Sequence, residues 1–154
     1  MNKYEDLQDN ACEDGIDVID YHFDSDRIKG LYCDGTIALN SDLTQTEKTC
    51  VLAEELGHHH TAVGNIIDQS DDANRKKEHL GRVFAYNKLI GLIGLVHAYQ
   101  DGCRSWHDAA AHLEVTEEFL RDALEYYRQR YGCSVKIDNY VIFFEPHLAV
   151  MELK

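Results

Sequence analysis

Residues 44–60 read TQTEKTCVLAEELGHHH, and the reading of this stretch decides the fold. Thr44 and Glu47 stand at the spacing of a capping box, in which each side chain satisfies the other residue's backbone N–H. That signal predicts a helix from about Gln45 to about His60. Thr49, Leu52, Ala53 and Leu56 share the side expected to lie on a sheet, and Val51, Glu54, Glu55 and His58 share an adjacent side. Residues four apart stand one turn apart, so Glu54 and His58 can converge on one ion. Glu55, about 100° around the helix, can reach a water at that ion without ligating it. His-Glu-x-x-His peptidases use the same spacing to draw two ligands and a general base from five residues. Here Glu54 takes the place of the first His, and carboxylate is an accepted zinc ligand that favours harder cations relatively more. A third ligand must come from elsewhere, with Glu78 the first candidate and His79 the second. Gly81 and Ala85 follow Glu78 at helical spacing and would let that helix pack closely. His59 and His60 read as surface or core-edge residues. The plain alternative is a solvated helix face, because Glu-x-x-x-His pairs are common there.

Outward from this helix, residues 3–14 read as a helix with Tyr4, Leu7 and Ala11 on one face and Gly15 as its stop. IDVIDYHF (16–23) alternates like a half-buried strand, and IKGLYC (28–33) and TIALN (36–40) flank the hairpin turn Asp34-Gly35. On the other side come a polar loop, GNIIDQSDD (64–72), a long helix over roughly 73–90, and a further helix ending near Asp101-Gly102. Residues 105–113 and 116–131 read as two helices joined tightly at Glu114-Val115, with Thr116 as N-cap. Ala110, Leu113, Val115, Phe119, Leu120 and Ala123 would form their small core. SVKI and YVIFF around Asp138-Asn139 read as a terminal hairpin, and FFEPHLAVMELK reads as a core strand, a lid or a dimer contact, with no physical argument choosing among the three. The fold class is α+β. A three-stranded sheet packs on helices that include the EExxH helix, then come a helical part of helix-turn-helix outline and a short hairpin. The expected domains are a core over 1–92 and a C-terminal part over 93–154, packed on the core as a single unit.

The 154 residues suffice for one domain with a real core, and their net charge of −13 disfavours affinity for phosphate backbones. A basic protein is the better electrostatic match. The second of the paired helices also lacks base-reading residues, since it opens on Glu117 and Glu118 with Arg121 alone in reach. A DNA-binding regulator is therefore the weakest reading. Five cysteines, with no CxxC, suggest reduced thiols, most of them expected as small core residues. The acidic start MNKYEDLQDN is unlike a signal peptide, and Leu89–Tyr99 is too short and interrupted to span a bilayer. The expected location is the cytoplasm, with no membrane contact.

The order helix, three strands, TxxEKxxxLAEELGHH, polar loop, RKxE and FAYxKLI resembles the ImmA/IrrE family of metallopeptidases, especially the short forms encoded by phages and prophages. The resemblance runs over nearly the whole chain, including VTEEFLRDALEYYRQRYG. It implies a zincin-like fold, one bound zinc, and cleavage of a cognate helix-turn-helix repressor as the activity. By position, Glu55 matches the catalytic Glu, His58 the second zinc ligand, and Glu54 the first His. Many relatives read E-x-E-A-N-x-F-A on the next helix. This chain has Glu78 at the first Glu and Leu80 at the second, so a ligand carried by that second position is lacking here. The resemblance implies a zinc-dependent peptidase with Glu55 as general base and Glu54 and His58 at two ligand positions, and the third ligand chosen from the residues themselves is Glu78. A non-catalytic antirepressor, binding the repressor without cleaving it, is the alternative.

Overall fold

A computed structural model describes residues 2–62 and 71–154, with side chains from 2–61 and 75–154. Among them are six helices and two small sheets, a mixed α+β architecture. The chain divides into two compact units, Met1–Ala85 and Tyr86–Lys154. No helix of the described residues is long and apolar enough to cross a membrane.

In the first unit, α1 (Lys3–Glu13) is capped by Asn2, whose side chain accepts the Glu5 N–H, and buries Leu7 and Ala11. Strands β1 (Asp17–Tyr21), β2 (Gly30–Cys33) and β3 (Thr36–Asn40) form a sheet of order β1-β3-β2. β3 pairs parallel with β1 and antiparallel with β2. Asp34 and Gly35 turn the β2–β3 hairpin with φ of 47° and 77°, the double positive φ its sequence predicts. Helix α2 (Gln45–Ala62) starts at the expected capping box. The Thr44 N–H donates to Glu47 Oε1 at 3.1 Å, and the Glu47 N–H donates to Thr44 Oγ1 at 3.2 Å. Thr49, Leu52, Ala53 and Leu56 are buried, as their shared side predicts, and α2 packs on β2 and β3. Of the polar loop expected over 64–72, residues 64–70 lie outside the described residues, and α3 (Asp71–Leu89) already includes Asp71 and Asp72.

The second unit carries α4 (Gly91–Gln100), α5 (Trp106–Leu113) and α6 (Glu117–Tyr131). Ser105 and Thr116 cap α5 and α6 by accepting the Asp108 and Phe119 N–H groups. All six residues expected as the core of the helix pair are buried, and Glu114 takes the left-handed conformation in the tight turn between them. Two expectations need correction. The chain ends on a three-stranded antiparallel sheet, β4 (Ser134–Ile137), β5 (Tyr140–Phe143) and β6 (Ala149–Glu152), and not on a hairpin alone. FFEPHLAVMELK supplies that third strand, and its short, mostly exposed AVME segment pairs with β5 to gain backbone hydrogen bonds. Nor are most cysteines in the core. Cys50 is buried, whereas Cys12, Cys33 and Cys133 are exposed and Cys103 is intermediate, and all five are free thiols. Composition places a thiol inside by default, but strand register puts Cys33 opposite Thr36 on the outer face.

Candidate metal centre on helix α2

Two glycines set up the site. A Cβ on Gly57 would lie 2.5 Å from the Gly81 carbonyl oxygen, so α2 and α3 meet backbone to backbone at this pair. A Cβ on Gly81 would lie 2.2 Å from His58 Cδ2 and 2.6 Å from its Nε2. The imidazole of His58 therefore occupies the space a side chain on α3 would take. Beneath α2, Gly30 of β2 does the same for Val51 and Glu55, since a Cβ there would fall 2.6 Å from Val51 Cγ1. Glycine inside a helix costs about 1 kcal/mol relative to alanine, so Gly57 and Gly81 are tolerated for this close approach.

His58 Nδ1 lies 3.4 Å from Glu55 Oε2, and its Nε2 lies 3.6 Å from Glu78 Oε2. With Glu55 accepting from Nδ1, the neutral ring carries its lone pair on Nε2, the orientation a carboxylate gives to a metal-ligating histidine. That Nε2 is buried and has no hydrogen-bond partner among the described residues. Buried polar atoms are rarely left so unless a water, ligand or ion completes them. Two ligands at ordinary zinc–nitrogen and zinc–oxygen lengths sit about 3.4 Å apart in a tetrahedral site. The 3.6 Å between His58 Nε2 and Glu78 Oε2 is close to that, and longer than a hydrogen bond. The His58 and Glu55 side chains are only 24% and 14% exposed, whereas Glu78 at 60% stands at the mouth.

Glu54 joins the group electrostatically. Burial raises its pKa, Arg82 and His58 oppose that rise, and the charges of Glu55 and Glu78 add to it. The hydrogen bond His58 donates to Glu55 raises the His58 pKa, burial works against it, and the charges of Glu55, Glu78 and Glu54 add to the rise. Three carboxylates thus crowd one imidazole, with Arg82 the guanidinium that acts on Glu54. Such a donor set suits a divalent cation, whose charge would relieve the mutual repulsion. The orphaned Nε2, the glycine cradle and the oxygen donors fit the implied ion. Among the described residues no group of three or more His, Cys, Asp or Glu side chains lies close enough together to hold a metal ion as it stands.

Of the residues singled out by spacing, Glu55, His58 and Glu78 lie together, and Glu54 is coupled to all three. His79, the second candidate for third ligand, is exposed on α3, and the carboxylate beside His58 belongs to Glu78. The other two histidines of the run are engaged elsewhere. Tyr32 Oη lies 2.9 Å from His59 Nδ1, and His60 pairs with Asp14 at 3.2 Å while stacking on Phe84. Sequence reasoning passed over Gly57, Gly30 and Arg82. Only Gly57 left a signal, as a glycine in the middle of a well-capped helix.

Residues 12–125 match the peptidase family described as the IrrE N-terminal-like domain. The match covers most of the chain, from α1 into α6, and the chain belongs to that family. It therefore carries a metallopeptidase-like domain, in a family whose members are generally zinc-dependent. No curated protein shows a significant match to the chain.

Proposed function

We propose that this protein is a cytoplasmic metal-dependent peptidase of zincin-like fold. Its substrate would be one cognate helix-turn-helix repressor, in a phage or prophage switch. The observation that carries the reading is the buried, partnerless Nε2 of His58 facing the Glu78 carboxylate, in a chain of a peptidase family. His58, Glu54 and Glu78 would hold one divalent ion, zinc by the chemistry of the family. The bound ion supplies positive charge that activates water and polarises a peptide carbonyl. Glu55 takes the proton from the attacking water at its carboxylate and hands it to the leaving amine. The contact between Glu55 and His58 Nδ1 fixes the ring, so Glu55 also positions a ligand. Gly30 and Gly81 leave room for these side chains to reach their places.

An acidic enzyme of net charge −13 suits a basic DNA-binding substrate, and their contact should weaken as salt is raised. The test is incubation of the purified protein with a candidate helix-turn-helix repressor, with and without added zinc. Metal-dependent fragments that are absent in Glu55→Gln support the reading. Intact repressor, with metal bound in full, would refute cleavage. The second reading, an antirepressor that binds without cleaving, draws on the exchange of the first ligand for Glu54. It predicts that wild type and Glu55→Gln hold the repressor equally and release no fragments.

A further inference from the structure

We propose that the outer face of the β1-β3-β2 sheet is a docking surface for one basic amphipathic helix of a partner protein. The strand register defines that face. Ile37 and Leu39 of β3 are buried, and the residues opposite them on β1, Val18 and Asp20, share their side. Asp20 is held there by Lys48 of α2 at 3.1 Å. The alternate residues point the other way, so Ile19, Ala38 and Leu31 form a row across all three strands. Tyr21 extends the row along β1, with Phe23 edge-on to its ring, and Ile28 lies just before β2. Ile19, Tyr21 and Leu31 are 45%, 55% and 54% exposed.

A strand with one buried face ordinarily carries polar residues on the other. Here Ile16 and Val18 already fix the inward parity of β1, so Ile19 and Tyr21 contribute nothing to the core they turn away from. Large side chains clustered on an outer face, ringed by charge, are the mark of an interaction site.

The rim selects the occupant. Asp17, Asp24, Asp26 and Asp34 are exposed around the patch, and six aspartates against Arg27 and Lys29 lie within residues 17–42. Two copies of this chain would set acidic rim against acidic rim, each on a molecule of net charge −13. A segment with an apolar stripe flanked by Lys or Arg meets both features. Three strands span about 10 Å, close to the 10–12 Å diameter of an α-helix. The five residues of β1 run about 17 Å, the length of about eleven helical residues. One helix of three turns fits. This inference stands apart from the peptidase reading, because the patch lies on the sheet face opposite α2 and uses none of its residues.

The test is a titration of isotope-labelled protein with an 18-residue Leu/Lys amphipathic helical peptide, followed by amide chemical shifts. Shifts confined to residues 17–21, 28–33 and 36–40 are expected. Affinity should drop at least about tenfold in Ile19→Ser/Leu31→Ser, a change at exposed positions that leaves the melting temperature in place. In Asp17→Asn/Asp34→Asn it should drop several-fold and lose much of its salt dependence. A Leu/Glu peptide of the same pattern should not bind. Shifts spread over the whole acidic surface, or equal affinity in the serine variant, would overturn the proposal. So would sedimentation showing a dimer that the serine variant converts to monomer, since a second copy would then be the occupant.

Discussion

His58 in the first unit, partly exposed but with its Nε2 buried, and the buried Tyr127 in the second both stand on helices beside small sheets, and their polar atoms meet opposite fates. The Tyr127 hydroxyl accepts the Gly91 N–H at 3.1 Å and donates to Asn87 Oδ1 at 3.1 Å. Burial pushes its pKa well above the ordinary value, so it stays a neutral donor. Its ring sits among Tyr126, Tyr131 and Phe144. Everything about Tyr127 is completed by the protein itself. His58 has one nitrogen oriented by Glu55 and the other buried without a partner, in a space cleared by a glycine. A completed polar group serves stability, and one left uncompleted beside carboxylates marks a candidate ligand site.

The comparison can be broken by stability measurements. The largest effect should come from Gly57→Ala. The added methyl would meet the Gly81 backbone at 2.5 Å, which no rotamer change relieves, so α2 and α3 must part. A loss of about 2–3 kcal/mol is expected in urea denaturation, even after the gain in helix propensity. Unchanged stability would mean that the helices do not touch there. Next comes Tyr127→Phe, which strands the Gly91 N–H and the Asn87 carbonyl oxygen. It should cost about 1–3 kcal/mol and leave metal binding untouched.

His58→Gln in metal-free protein should cost only about 1 kcal/mol, the worth of the long Nδ1 contact to Glu55, since the Nε2 contributes no hydrogen bond to lose. A chelator should lower the melting temperature of metal-loaded wild type and not that of this variant. The smallest effect concerns the surface cluster of Glu125, Arg128 and Glu145. The hydrogen bond from Arg128, then that from Gln129, lowers the Glu125 pKa to about 2. A depressed carboxylate pKa adds stability that is full above the ordinary value and is lost as pH falls through about 2. The group is fully exposed, so the acid limb of stability should flatten only slightly in Arg128→Gln. The Glu125 carboxyl signal should then titrate near the ordinary carboxylate value.

What could be read from the residues alone followed from local rules. The Thr44–Glu47 capping box, the Asp34-Gly35 turn and the six buried residues of the α5–α6 pair each depend on spacing within one or two elements. The third C-terminal strand was hidden because Ala149–Glu152 is short and becomes a strand by pairing with β5. The exposure of Cys33 follows from register with β3, a pairing between strands that composition does not contain. At the site, helical spacing singled out Glu54, Glu55 and His58, and position on the next helix singled out Glu78. The cradle was legible only in part, through Gly81, whose spacing from Glu78 predicts close packing of that helix. It depends on where two helices cross, which brings Gly57 to Gly81, Gly81 to His58, and Arg82 to Glu54.

The most direct test of the account is the metal content of tag-free protein by elemental mass spectrometry, beside His58→Ala and Glu78→Ala. The account predicts close to one zinc per chain in wild type and loss of the metal in both variants, each still folded. Wild-type protein that stays metal-free after zinc addition and dialysis would contradict it, and so would zinc retained in full when His58 is replaced.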